Sequence, residues 1–144
     1  MVPELSVTDF EASFTFYTNI LGFGVIHARK NPDFAYLDQG GVQIMIEQYD
    51  ADSWNTGPLE PPLGRGVNFQ IELIDISTVY NRLRENRFPL FMDIVENWYQ
   101  VNGVEMGQKE FLVQDPDGYL LRFCESIEGA KPKGDEGTIA DSKS

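Results

Sequence analysis

The chain has 144 residues, 42% hydrophobic and 24% charged, enough for one domain with a proper core and unlike a disordered protein. Its 11 basic and 23 acidic residues give a formal net charge of −12, which argues against nucleic acid, whose phosphates need a basic patch. The acidity belongs to the domain: residues 126–144 hold three lysines and four acidic residues, and the rest of the chain still carries −11. Such a charge suits a cationic ligand, whose approach an acidic cleft would speed, and equally serves plain solubility. No apolar run approaches a membrane span, and no basic-then-apolar leader is present, so no membrane partner is expected. The single Cys124 allows no internal disulfide, which suits a reducing cytoplasm. On a strand it reads as a core residue.

In chain order, residues 2–7 read as a short strand. Asp9 then caps a helix with Phe10, Phe14, Tyr17 and Leu21 at helical spacing, and Gly22 ends it. Short strands follow at 23–29, 34–38 and 42–48, with Gly40-Gly41 marking the last hairpin. The pattern then recurs. Residues 67–73 form a strand, Asp75 caps a helix with Ile76, Val79, Tyr80 and Leu83 inward, and strands are expected at 88–92, 110–114 and 119–124. Asp115-Pro116-Asp117-Gly118 is a tight turn between the last two, Pro fixing φ and Gly supplying a positive φ. Asp9 matches Asp75, and Gly41 matches Gly118, so a β-α-β-β-β unit is written twice.

This gives an α+β fold class of two tandem βαβββ modules, 1–48 and 66–128, with a linker at 49–65 and a flexible polar tail at 129–144. The linker, rich in Pro and Gly, and the stretch 94–108 are read as long loops, a common seat of function.

Two tandem β-α-β-β-β units, "VPELSVTDFEASFTFYTNILGF" at the start and "GQKEFLVQDPDGYLLRF" at the end, resemble the vicinal-oxygen-chelate superfamily. That group includes glyoxalases, extradiol dioxygenases, fosfomycin-resistance enzymes and bleomycin-resistance proteins. The resemblance implies a curved, trough-like mixed sheet with helices outside. In the metalloenzymes of the group, ligands on the trough's inner face hold a metal that acts as a Lewis acid. Carried over, the first His falls at Val2, the second at Gly66 or Asn68, and the closing Glu at Arg122. Val has no donor atom, an Asn amide is a poor ligand, and Arg has five donors and no lone pair to give. Only Glu47 matches a ligand position, so neither metal nor other cofactor is expected.

Within the superfamily, Val-Pro-x-Leu at the start, "DFAYL" at 33–37 and "GQKEF" at 107–111 resemble the bleomycin-resistance branch. That branch implies a homodimer that sequesters a flat, cationic drug unaltered in grooves at the subunit interface, using aromatic faces and acidic surface. The candidate ligand-binding residues are Phe34 and Tyr36 on one strand face, Trp54, Trp98 and Tyr99 in the expected loops, Asn68 and Gln70 on the trough floor, and Glu47, Met106 and Arg122. Met106 stands where the branch often has a Trp, and both long loops exceed the compact proteins of the branch. Arg122, mid-strand among apolar residues, needs a partner, and Glu4 or Glu47 is expected to supply it. The second hypothesis is a glyoxalase- or dioxygenase-like metalloenzyme with an unusual ligand set. A dimer whose trough is filled by its own side chains is the third. No phosphate loop or Cys-x-x-Cys occurs, His27 has no paired nucleophile, and Glu4 with Glu47 are the only candidates for metal-free acid–base work.

Overall fold

The structure, a computed structural model, describes residues 1–129, so the expected tail beyond Gly129 lies outside the described residues. Among the described residues, eight strands and two α-helices run in the order β1 (Glu4–Val7), α1 (Phe10–Thr15), β2 (Gly24–Arg29), β3 (Phe34–Gln39), β4 (Val42–Gln48), β5 (Asn68–Glu72), α2 (Ser77–Glu85), β6 (Met92–Val101), β7 (Val104–Gln114) and β8 (Leu120–Ile127). They form two four-stranded mixed sheets, ordered β1-β4-β3-β2 and β5-β8-β7-β6. Each repeat closes the same way. Its first strand lies parallel to its last, with Glu4 opposite Met45 in one sheet and Gln70 opposite Arg122 in the other.

Asp9 caps α1 as expected, its Oδ1 accepting from the Ala12 N–H at 3.2 Å. Gln48, at the end of β4, fixes the same corner: Oε1 accepts from the Phe10 N–H and Nε2 donates to the Thr8 carbonyl. The helix continues as a π-helical segment, Phe16–Ile20, in which the Leu21 N–H reaches back to the Phe16 carbonyl at 3.0 Å. Gly22 closes it at φ +87°, a conformation glycine adopts without strain.

Two sequence expectations shift. The second helix starts later than Asp75: Ile76 holds the cap position, and the Asp75 carboxylate accepts from Ser77 within its own turn. The Ile76 N–H goes instead to Glu125 of β8, a partner supplied only by tertiary packing. Residues 94–108 are not a loop. They are the facing ends of β6 and β7, joined at Asn102 and Gly103, both with positive φ, 52° and 78°. That is the geometry a two-residue hairpin requires, and Asn-Gly is the pair that adopts it most readily.

Alternation along the strands sorts the side chains. Leu5, Val7, Ala35, Leu37, Ile44 and Ile46 from one sheet, and Ile71, Phe111, Val113, Leu121 and Phe123 from the other, are buried against Phe16, Tyr17, Val79 and Leu83 of the helices. The repeats join at a seam of polar and aromatic contacts. Tyr17 donates to Asp115, the Thr8 N–H and hydroxyl donate to Asp117, Tyr119 donates to the Ser6 carbonyl, and the Phe16 and Phe88 rings lie 4.7 Å apart. The linker is pinned near its end, where Leu63 is buried and its N–H donates to the Asp117 carbonyl.

Candidate functional site

The faces turned away from the helices carry the chemistry. In the first sheet, the register sets Glu47 opposite Phe34 and Phe34 opposite Arg29, with Ser6 beside Glu47 on β1. The next row is Glu4, Met45, Tyr36 and His27. The Tyr36 hydroxyl donates to Gln43 Oε1 at 2.8 Å. Arg29 Nη2 lies 3.3 Å from Glu47 Oε2, and its guanidinium carbon sits 4.0 Å from the centre of the Phe34 ring.

In the second sheet, Asn68, Gln70 and Glu72 of β5 share the inner face with Leu120, Arg122 and Cys124 of β8 and with Gln108, Glu110 and Leu112 of β7. Arg122 Nε donates to Glu110 Oε2 at 2.8 Å, with side chains only 21% and 12% exposed. This corrects the expectation that Glu4 or Glu47 would neutralise it. The partner lies on the neighbouring antiparallel strand, diagonally across the ladder, while Glu47 is taken by Arg29. Cys124 is buried between its strand neighbours on this face, and burial pushes its thiol pKa up.

The other candidates separate by face. Tyr99 and Met106 are cross-strand partners on the inner side of the β6–β7 hairpin. Trp98, one residue away, points to the helix side, is 4% exposed, and lies flat against Gly107, with Nε1 donating to Glu96. Trp54 stands fully in solvent on the linker, 96% exposed. The structure therefore groups Phe34, Tyr36 and Glu47 on one sheet and Asn68, Gln70, Tyr99, Met106 and Arg122 on the other. It leaves Trp54 and Trp98 off both faces.

Sequence reasoning missed Arg29 and Glu110. The signal was available for Arg29: pairing a strand over 23–29 with one starting at Phe34 sets the two residues opposite each other. For Glu110 it was weaker, because the whole of β7 had to be recognised before its register could be counted.

A divalent metal does not fit this donor set. Val2 offers no donor, Asn68 an exposed amide, and Arg122 a cation held by Glu110. Among the described residues, no three His, Cys, Asp or Glu side chains come together in a metal-holding group. No helix among them is long and apolar enough to cross a membrane.

The two-sheet, two-repeat architecture defines a class of α+β proteins with paired βαβββ modules. The model of the Glyoxalase/Bleomycin resistance protein/Dioxygenase superfamily matches residues 2–123, and the chain belongs to that superfamily. It is 24% identical over 139 residues to a bleomycin resistance protein of Geobacillus stearothermophilus, covering 88% of this chain and 96% of that one. A superfamily member of known structure from Vibrio splendidus 12B01 is 39% identical, over 86% of this chain and 95% of that one, with a TM-score of 0.42. A second, from Alicyclobacillus acidocaldarius, is 21% identical over 89% and 91% and shares the fold at a TM-score of 0.61.

Proposed function

We propose that the protein binds and sequesters a cationic, aromatic ligand of the bleomycin type without altering it. The observation that carries this reading is the fate of the metal-ligand positions. Where a metalloenzyme of the fold would hold a carboxylate, this chain has Arg122, held by Glu110 and without a lone pair to offer a metal. The inner faces carry aromatic and acidic side chains: Tyr36, and Phe34 beneath Arg29, in the first sheet, with Glu4, Glu47, Glu72 and Glu110 distributed over both. The likeness to a protein named for bleomycin resistance over nearly its whole length supports the ligand class.

The groove is proposed to form between two copies of the chain. Within one chain the repeats meet through helices and turns, while β1 and β5 stay at sheet edges. An inner face of one copy set against that of another would make a trough with two floors. A reducing cytoplasm is the proposed setting.

Calorimetric titration of metal-free protein with metal-free bleomycin tests the reading. Saturation near one ligand per subunit, at micromolar Kd or tighter (about −8 kcal/mol), supports it. Absence of heat removes bleomycin as the ligand, and stoichiometric tight uptake of Zn²⁺, Ni²⁺, Mn²⁺ or Fe²⁺ would overturn the metal-independent mode.

A further inference from the structure

Each repeat holds one arginine on its inner face, but the two are held differently. Arg122 donates through Nε at 2.8 Å to a carboxylate that is itself nearly covered, a short and enclosed pair. Arg29 is 51% exposed, its Nη2 stands 3.3 Å from Glu47, and no backbone carbonyl or second carboxylate anchors it among the described residues. It belongs to β2, an edge strand exposed along its whole length, with a register irregularity between Val25 and His27. Its guanidinium covers the face of Phe34, which is only 4% exposed, and the His27 ring stands 6.3 Å away from the same ring.

Glu47, Phe34 and Arg29 thus form one row across three strands. An aromatic face and a carboxylate, set side by side, hold a cation from two directions. The ring attracts it through its quadrupole and the carboxylate through charge. In the free chain the cation they hold is the protein's own.

We infer that Glu47 and Phe34 form a subsite for an ammonium or guanidinium group of the ligand, and that Arg29 occupies it until the ligand displaces it. The inference rests on the sequestration reading above and adds which residues take the cation and what competes for them. Arg29 is half exposed and holds the site through one 3.3 Å ion-pair contact and one cation–π contact, each weak when the cation stays hydrated, so it is released at small cost and a ligand cation can take its place. Arg29 then sets affinity from within: it fills the subsite when no ligand is bound, and every bound ligand must first displace it. Arg122 does not play this part: its pair with Glu110 is enclosed, and among the described residues it makes no cation–π contact.

The test uses the full chain with ring-labelled phenylalanine, titrated with agmatine, a small guanidinium-ammonium dication, and separately with metal-free bleomycin. Arg29→Ala and Arg29→Gln are compared with the parent chain, the second keeping part of the side-chain stem on the edge strand. Loss of the competing cation is expected to tighten agmatine binding roughly three- to tenfold, with the Phe34 ring signals shifting on titration. Adding Glu47→Gln should remove that gain. An agmatine affinity unchanged or weakened in both Arg29 variants overturns the inference, and so does a gain that leaves the Phe34 signals unmoved, which would be only long-range charge. Bleomycin bound equally by parent and variants overturns the subsite while the sequestration reading stands. Agmatine behaving as expected while bleomycin binds none of them supports the subsite and overturns the choice of drug.

Discussion

Tyr17 of the first repeat donates its hydroxyl hydrogen to Asp115 of the second across 2.7 Å, in a buried contact linking residues 98 positions apart. The same carboxylate accepts the N–H groups of Asp117 and Tyr119 through Oδ1, so Asp115 both shapes the Asp-Pro-Asp-Gly turn and ties that turn to the opposite helix. Burial, then the Asp115 charge, pushes the Tyr17 hydroxyl pKa well up, so Tyr17 stays the donor.

Asp115 makes stability depend on pH. Burial outweighs its hydrogen bonds and raises its pKa to about 6. The folded state therefore holds this proton more tightly than the unfolded chain, whose carboxyl titrates near ~3.9. Its contribution is fully present below that value and is lost as pH rises through about 6, amounting to about 3 kcal/mol by pH 7. Urea unfolding at pH 4, 5, 6 and 7 should show Asp115→Asn losing less stability than the parent chain over this interval. Parallel curves for the two would contradict the burial account. Tyr17→Phe should cost about 1–3 kcal/mol at pH 7, because it leaves a buried carboxylate oxygen unpaired.

Arg122 is paired within its own sheet, and reversing its charge sets two carboxylates against each other. Arg122→Glu should lose about 2–4 kcal/mol and Arg122→Ala somewhat less, with Glu110→Arg recovering part of the loss when combined with Arg122→Glu. Chemical denaturation of the three variants measures this. No recovery in the double variant would show that the environment, and not the pairing, holds Arg122.

Gly107 is a matter of space. A Cβ there would lie 2.9 Å from the Trp98 ring, closer than packed side chains tolerate. Gly107→Ala should destabilise by about 1–3 kcal/mol and shift Trp98 emission to longer wavelength as the indole is lifted off the sheet. A stable variant with unchanged emission would mean that the hairpin yields instead.

The two tryptophans report different events. Trp54 is in solvent and Trp98 is under the second sheet, so acrylamide should quench the first far more than the second. Because neither indole lies on an inner face, Trp54→Phe and Trp98→Phe should each leave the calorimetric bleomycin affinity within about twofold of the parent. A large loss in Trp98→Phe with the fold intact would place the drug against the helix-side face, away from Phe34 and Tyr36.

Sequence by itself determined the repeat. Gly40-Gly41, the Asp-Pro-Asp-Gly turn and the Asp9 cap act within a few residues of themselves, so the elements they bound were legible without a partner. Alternation also set Phe34 with Tyr36, and Asn68 with Gln70, on the faces opposite the core, since a strand allows no other arrangement. Asn102-Gly103 was equally local, yet the polar stretch around it masked the hairpin, and with it the strand positions of Trp98, Tyr99 and Met106. Tertiary structure alone decided the pairings. Glu110 meets Arg122 through the β7–β8 register, Glu125 replaces Asp75 at the start of α2, and Tyr17 meets Asp115 only after the repeats pack. A charge or a buried hydroxyl needs a partner, but sequence names only the need; distance in space, fixed by register and packing, chooses which residue answers it.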